Sequence, residues 1–301
     1  MPIKVSHLMP HLLLIFTLLL FSSCSNDIEQ RQRVDVTISS LDDLEKVFND
    51  LNYTTQSWEA GLREVPRINT LTISSKWPDT SKEIPVKKKK DIFFRLLTPL
   101  ILISNEEISS EKTRLLKEGP DSLWVKELAL KYKVIKEKEP SLSKTQFDEL
   151  IRRVDIIPVS LALAQGAEES GWGTSRFAIK GNALFGQWDF SGNGMVPEQQ
   201  RKELGNYGLA RFDSPLDSVK GYMLNLNTSY AYEKLRILRQ DIRRKNEKLT
   251  GWELAKSLGK YSERGEDYIQ GLHQMISYNK LHDQDDTYLS QGPEIYIKRG
   301  N

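Results

Sequence analysis

The chain reads as a mostly α, α+β fold with one small β element. Apolar residues recur at helical spacing in segment after segment between residues 41 and 276. The stretch 186–212 is different. It sets the turn signals "SGNG" and "GN" between short apolar runs, the pattern of a hairpin. Composition agrees with a folded protein: of 301 residues, 39% are hydrophobic and 28% charged. A formal net charge of +2 gives no reason to expect nucleic acid as a partner.

The first 26 residues stand apart. Lys4 and the amino terminus give a weakly positive start, and "LLLIFTLLLF" (12–21) has only Thr17 as a polar residue. Ser22, Ser23 and Cys24 follow. Charge, a short apolar core and small residues make the order of an export signal, and the core is too short to span a bilayer. Cys24 is the one cysteine, so no internal disulfide is expected. "FSSC" resembles the lipobox of bacterial lipoproteins, although Phe21 stands where leucine is usual. That resemblance implies a signal peptide over 1–23 and a lipid on Cys24. It also implies membrane attachment through that lipid, at the outer membrane facing the periplasm.

A tether and short helix are expected over 24–56. Leu41, Leu44, Val47, Phe48 and Leu51 share one helical face, with Ser40 as N-cap. A helical N-terminal region follows over 57–153. It opens irregularly, with a short strand candidate near Leu71 and Ile73. Lys87–Lys90 read as the solvated start of a helix. "DIFFRLLTPLILI" (91–103) reads as a buried helix kinked at Pro99. Further helical patterns lie near Leu115, over 123–132 and over 147–154.

The domain of interest spans 154–283, with a tail at 284–301. Asp155 is placed to cap a helix whose first turn holds Pro158. Val159, Leu161, Ala162, Leu163, Ala164 and Ala167 leave that helix little polar surface, so it belongs inside the domain. Gly171 is suited to end it. Glu168 and Glu169 then fall in the last turn, against the negative end of the helix dipole. Poor solvation there would raise a carboxyl pKa further, and a glutamic acid protonated near neutral pH is what a general acid requires. Two solvent-facing glutamates at a helix end are the structural alternative.

The hairpin stretch offers three further carboxylates, Asp189, Glu198 and Glu203, and no local motif selects one. Trp172, Phe185 and Trp188 cluster near Glu169 in sequence and could pack on sugar faces or fill a core. Asp213 or Ser214 with Pro215, and Thr250 with Glu253, read as helix starts. His273 and His282 have no cysteine support, so no metal and no cofactor are expected.

"AQGAEESGWGTSRFA" and "GNALFGQW" together resemble the bacterial endo-β-N-acetylglucosaminidase family, of which the flagellar peptidoglycan hydrolases are members. The family pattern Ala-Gln-x-x-x-Glu-Ser-Gly-Trp-Gly falls on Ala164, Gln165, Glu169, Ser170, Gly171, Trp172 and Gly173. Asn-x-Phe-Gly follows, with Asn182, Leu184, Phe185 and Gly186 standing in it. "LARFDSPLDSVKGYM" and "KYSERGEDYIQGLHQMI" extend the likeness over 154–281. The region 57–107 is similar to the Bax-like bacterial branch of that family. The resemblance implies a lysozyme-like glucosaminidase domain, peptidoglycan glycan strands as substrate, and a monomer. It makes Glu169, not Glu168, the acid. It places Tyr261 at an active-site tyrosine, in a stretch that departs from Tyr-Ala-x-Asp. Asn182 and Tyr268 become candidate substrate contacts, with the first serving the hairpin or an acetamido group. The resemblance also implies a second carboxylate on the hairpin, where Glu203 fits the family's spacing first among Asp189, Glu198 and Glu203, but the choice remains open, since the substrate's own N-acetyl group can replace it. A muramidase, a lytic transglycosylase and a non-catalytic wall-binding lipoprotein are the rival readings.

Overall fold

A computed structural model describes residues 31–138, 140–189, 191–197 and 208–300. Cys24 with the whole leader, and both Glu198 and Glu203, lie outside these residues. Residues 32–301 gather into one compact unit. Among the described residues no helix is long and apolar enough to cross a membrane.

The chain opens with β1 (Arg33–Ile38), α1 (Leu41–Asp50), α2 (Thr55–Glu59), β2 (Glu64–Thr70) and α3 (Trp77–Glu83). Ser40 caps α1 as expected: its Oγ accepts from the Asp43 N–H at 3.1 Å and the Asp43 carboxylate accepts from the Ser40 N–H at 2.9 Å. α4 (Val86–Glu118) is a 33-residue helix that continues through Pro99, which lacks the N–H of one helical rung. Its face from Ile92 to Leu102 is core.

α5 (Leu123–Lys131) and α6 (Lys144–Arg153) lead to α7 (Val159–Ser170). The remaining elements are α8 (Arg176–Gly181), β3 (Trp188–Asp189), β4 (Gly208–Leu209), α9 (Pro215–Thr228), α10 (Glu233–Arg244), α11 (Gly251–Ala255), α12 (Glu266–Tyr278) and β5 (Tyr288–Arg299). The mostly helical, α+β expectation therefore stands.

The C-terminal segment is no tail. β5 is the middle strand of a three-stranded sheet in the order β1-β5-β2, with both pairings parallel. The strand expected near Leu71 lies earlier, at β2, and β1 begins inside the expected tether. The β2–β5 register slips between Val65 and Arg67, where Pro66 has no N–H to give a ladder. Arg67 repairs the slip. It is 2% exposed. Its Nε donates to the carbonyl of Ser290 at 2.9 Å, and its two η nitrogens reach Glu106 on α4 at 2.7 and 2.5 Å. That fork fastens the sheet to the long helix.

α7 runs through the main core, buried from Val159 to Ala167. Each of its buried leucines contributes roughly 1.5–3 kcal/mol of burial. Gly166 lets α4 and the Phe185 ring come close: a Cβ there would meet Leu97 Cδ2 at 2.8 Å and Phe185 Cε1 at 3.3 Å. Pro158, not Asp155, is the N-cap of α7, and it offers no side-chain cap. Asp285 serves instead. Its carboxylate accepts from the Ser160 N–H at 2.8 Å, the Ser160 hydroxyl at 2.7 Å and the Gly251 N–H at 3.0 Å. Asp155 accepts from Arg243, and buried Arg239 donates to the Asp155 and Ile156 carbonyls, tying down the segment ahead of α7.

Candidate active site

Ser170 and Gly171 fix where α7 stops. Gly171 takes the left-handed conformation, φ 57° and ψ 46°. The Ser170 hydroxyl donates to the Gly166 carbonyl and accepts from the Gly173 N–H at 2.8 Å. The helix end is therefore rigid, and it carries Glu169 half-buried with Glu168 exposed beside it.

The two glutamates have different partners. Glu168 pairs with Arg264 at 2.8 Å. Glu169 faces tyrosines. The Tyr268 hydroxyl donates to Glu169 Oε1 at 2.9 Å. Behind it Gln165 Nε2 donates to the Tyr268 oxygen at 3.0 Å, and the Tyr222 hydroxyl donates to Gln165 Oε1 at 2.7 Å. Each donor in this buried chain has one acceptor, so its direction is set. The Gln165 amide occupies the Tyr268 oxygen as donor, which leaves the Tyr268 proton to Glu169 Oε1.

Oε2 is the other oxygen. A Cβ on Gly186 would lie 3.2 Å from it. Gly186 has φ +61°, so the backbone passes the carboxylate in a conformation and at a distance that suit glycine. Tyr261 holds that segment: its hydroxyl donates to the Phe185 carbonyl at 2.9 Å, and its ring stacks on Tyr268 with centroids 5.4 Å apart. Phe185 is buried and stacks on Tyr222 at 4.0 Å.

Burial is the first cause that lifts the Glu169 carboxyl above its ordinary value, and the Glu168 charge adds to it. The Tyr268 hydrogen bond and the more distant Arg264 pull the other way without reversing the shift. Burial also pushes Tyr261 and Tyr222 well above the ordinary phenol value. Both tyrosines stay neutral donors at any working pH. The arrangement favours the protonated carboxyl more than solvent would, and with Oε1 accepting from Tyr268 it leaves Oε2 to carry the proton.

The other sequence candidates are placed less centrally. Trp172 packs edge-on against Phe93 and Phe94 at 5.7 and 5.3 Å, and the Lys90 ammonium lies 4.8 Å from its ring centre. It is core and brace for the α7 turn. Lys90 is thus not solely a solvated start of α4, since it also lies 4.6 Å over Tyr278 and donates to Asn279. Asn182 spends its amide on structure: Nδ2 donates to the carbonyls of Phe212 and Asp213, and Oδ1 accepts from the Ile73 N–H. Trp188 lies on β3 and is 57% exposed.

The expected hairpin exists in small form, β3 antiparallel to β4 with a further bridge between Met195 and Leu209. Asp189 belongs to its turn, accepting from the Ser191 N–H at 2.7 Å, and the Ser191 contacts hold its carboxyl below the ordinary range. His273 stacks on Trp252 at 4.0 Å. Ser214 caps α9 as expected. Thr250 caps α11, but Glu253 pairs with Lys256 and does not complete the box.

Sequence reasoning gave Gln165, Tyr222 and Arg264 no role. Gln165 carried a usable signal, as a polar residue one turn before Glu169 on an otherwise apolar helix. Nothing local marks Tyr222, which reaches the site from α9.

Residues 144–281 match the family model described as mannosyl-glycoprotein endo-beta-N-acetylglucosaminidase. Protein bax of Escherichia coli (strain K12) is 32% identical over 214 residues, covering 69% of this chain and 76% of that protein. The catalytic domain of the autolysin Auto from Listeria monocytogenes aligns over 83% of this chain and 99% of that one, at 16% identity and a TM-score of 0.37. By the family model and the bax relative, this chain belongs to the glucosaminidase family.

Proposed function

We propose that the protein is a peptidoglycan hydrolase that cleaves the β-1,4 bond after N-acetylglucosamine, with Glu169 as general acid. The observation that carries this reading is the Glu169 carboxyl itself. It is half-buried, lifted in pKa by burial and held at one oxygen by Tyr268. Family membership supplies the substrate class, an N-acetylglucosamine-containing glycan.

In this reading the protonated Oε2 passes its proton to the bridging oxygen as the C1–O bond breaks. Positive charge grows on C1 and is met from the other face. A water, or the oxygen of the substrate's own acetamido group, forms the new bond. Where the acetamido oxygen forms that bond, the Glu169 carboxylate then takes a proton from the water that opens the intermediate, which restores the acid; where water attacks directly, the second carboxylate takes that proton. Tyr268 steadies the carboxylate between these steps. Asp189 is engaged in its turn, so Glu203, Glu198 or the acetamido group supplies the second function. Trp188 offers an exposed ring for a sugar face.

The leader supports a place in the cell envelope. Residues 1–23 would be removed and Cys24 would carry lipid, which holds the enzyme to the outer membrane beside its substrate. Digestion of purified sacculi, followed by mass spectrometry of soluble products, tests the reaction. Reducing N-acetylglucosamine ends, absent with Glu169→Gln, are expected. Anhydro-muramic or reducing muramic ends would change the bond assigned, and equal digestion by Glu169→Gln would remove Glu169 from its role.

A further inference from the structure

Close packing leaves few voids in a protein interior. A pocket of about 220 Å³, partly open to solvent, lies between the parallel sheet and α4, and neither Glu169 nor any of its partners lines it. Its inner wall is Leu44, Ile92, Phe93, Leu97, Leu100 and Ile297. An apolar cavity of roughly 150 Å³ already takes up benzene, so this one has room for a longer apolar ligand. The polar part of its lining is hydroxyls and two cations, Lys76 and Arg299, with no Asp or Glu. Asp43, in the first turn of α1, is engaged by the Ser39 and Ser40 N–H groups and is not part of the lining. Arg299 gives one donor to Ser75 at 3.1 Å, and a guanidinium carries five.

We propose that this cavity binds one medium-length fatty acid, its chain against the apolar wall and its carboxylate between Lys76 and Arg299. Chain and head each meet the surface that suits them: methylenes leave water, and the anion finds cations with no lining carboxylate to repel it.

The cavity also touches the turn that ends α7. Trp77 lines it, and the Trp77 indole N–H donates to the Trp172 carbonyl at 2.9 Å. Gly173 lines it too. Gly171, Trp172 and Gly173 are three consecutive residues with positive φ, 57°, 63° and 76°. For tryptophan that conformation costs about 1–2 kcal/mol, so outside contacts must hold it. A ligand that pins Trp77 pins this turn and with it the helix end bearing Glu169. Binding stands apart from whatever reaction Glu169 performs. The consequence for rate, faster turnover with ligand bound, rests on the glycan hydrolysis proposed above.

Decanoate carrying a terminal bromine, titrated into the full chain with tryptophan fluorescence as readout, tests the binding. Saturable quenching is expected. It should vanish in Trp77→Phe, and the midpoint should rise about tenfold in the double variant Lys76→Glu, Arg299→Glu. Both charged residues are exposed, so that variant should fold. Calorimetry with unlabelled decanoate shows whether Trp77→Phe still binds. No saturable quenching, or quenching that survives in Trp77→Phe, overturns the site. Equal affinity for decanol, or an unmoved midpoint in the charge variant, overturns the carboxylate. If sacculus digestion proceeds and decanoate does not speed it, the coupling fails and the proposed hydrolysis does not.

Discussion

Tyr268 donates to Glu169 Oε1 at 2.9 Å while accepting from Gln165 at 3.0 Å. That hydroxyl favours the charged form of Glu169, against burial. Tyr268→Phe should therefore raise the Glu169 pKa further, because a hydrogen bond to the charged form is lost. The alkaline limb of the rate profile on sacculi should move upward, with the plateau about tenfold lower because the carboxyl loses its anchor. A limb that stays in place or moves down would show that Tyr268 does not set this pKa.

The same shift has a thermodynamic side. A carboxyl whose pKa is raised by folding keeps a proton that the unfolded chain releases. Its stabilising contribution is complete below the unfolded value and is lost as pH climbs through the folded one. Glu169→Gln has no such loss. The two proteins should melt alike at acid pH, and the variant should melt higher once pH exceeds the raised value. Melting curves across pH read this directly, and a wild type that gains on the variant with rising pH contradicts it.

Gly186→Ala probes the other oxygen. The new methyl would sit 3.2 Å from Glu169 Oε2, on a backbone with φ +61°. Folding should lose about 1–2 kcal/mol to left-handed strain. Activity should fall by about a hundredfold, since the methyl crowds the oxygen that carries the proton. Denaturant midpoints and initial rates separate the two effects, and a fall in stability with full activity would place the catalytic proton elsewhere.

Asp285→Ala removes two hydrogen bonds at the start of α7 and one at the start of α11. About 3 kcal/mol of stability should go, a helix cap plus an orphaned Gly251 N–H. Asn in its place should recover part of that, because one amide oxygen still accepts. A loss below about 0.5 kcal/mol, measured by urea unfolding, would mean that water replaces the carboxylate.

The end of α7 was legible because its cause is local. An apolar run, a glycine able to take φ 57° and a rare-residue motif all sit within a few positions. The place of Glu169 in the last turn was readable for the same reason, and so was the Ser40 cap. The sheet was not. β5 holds a Gly-Pro pair opposite the slip near Pro66, so neither strand shows an unbroken alternation. The partners lie more than two hundred residues apart, and β1, which does alternate at Val34, Val36 and Ile38, has nothing beside it in sequence to pair with. Asp285 was invisible as a cap because it comes from the far end of the chain. Tyr261 and Tyr268 were both flagged, but only geometry shows that Tyr268 touches the acid while Tyr261 holds a backbone carbonyl.

Placing β5 between β1 and β2 has a consequence for how the molecule is born. Neither of the early strands has a ladder partner until residues 288–299 have left the ribosome. The Asp285 cap of the Glu169 helix arrives only just before them. A copy cut short by a premature stop lacks both the sheet's centre and the clamp on its acid-bearing helix. The two early strands and the helix that carries Glu169 are thus completed only by segments made well after them.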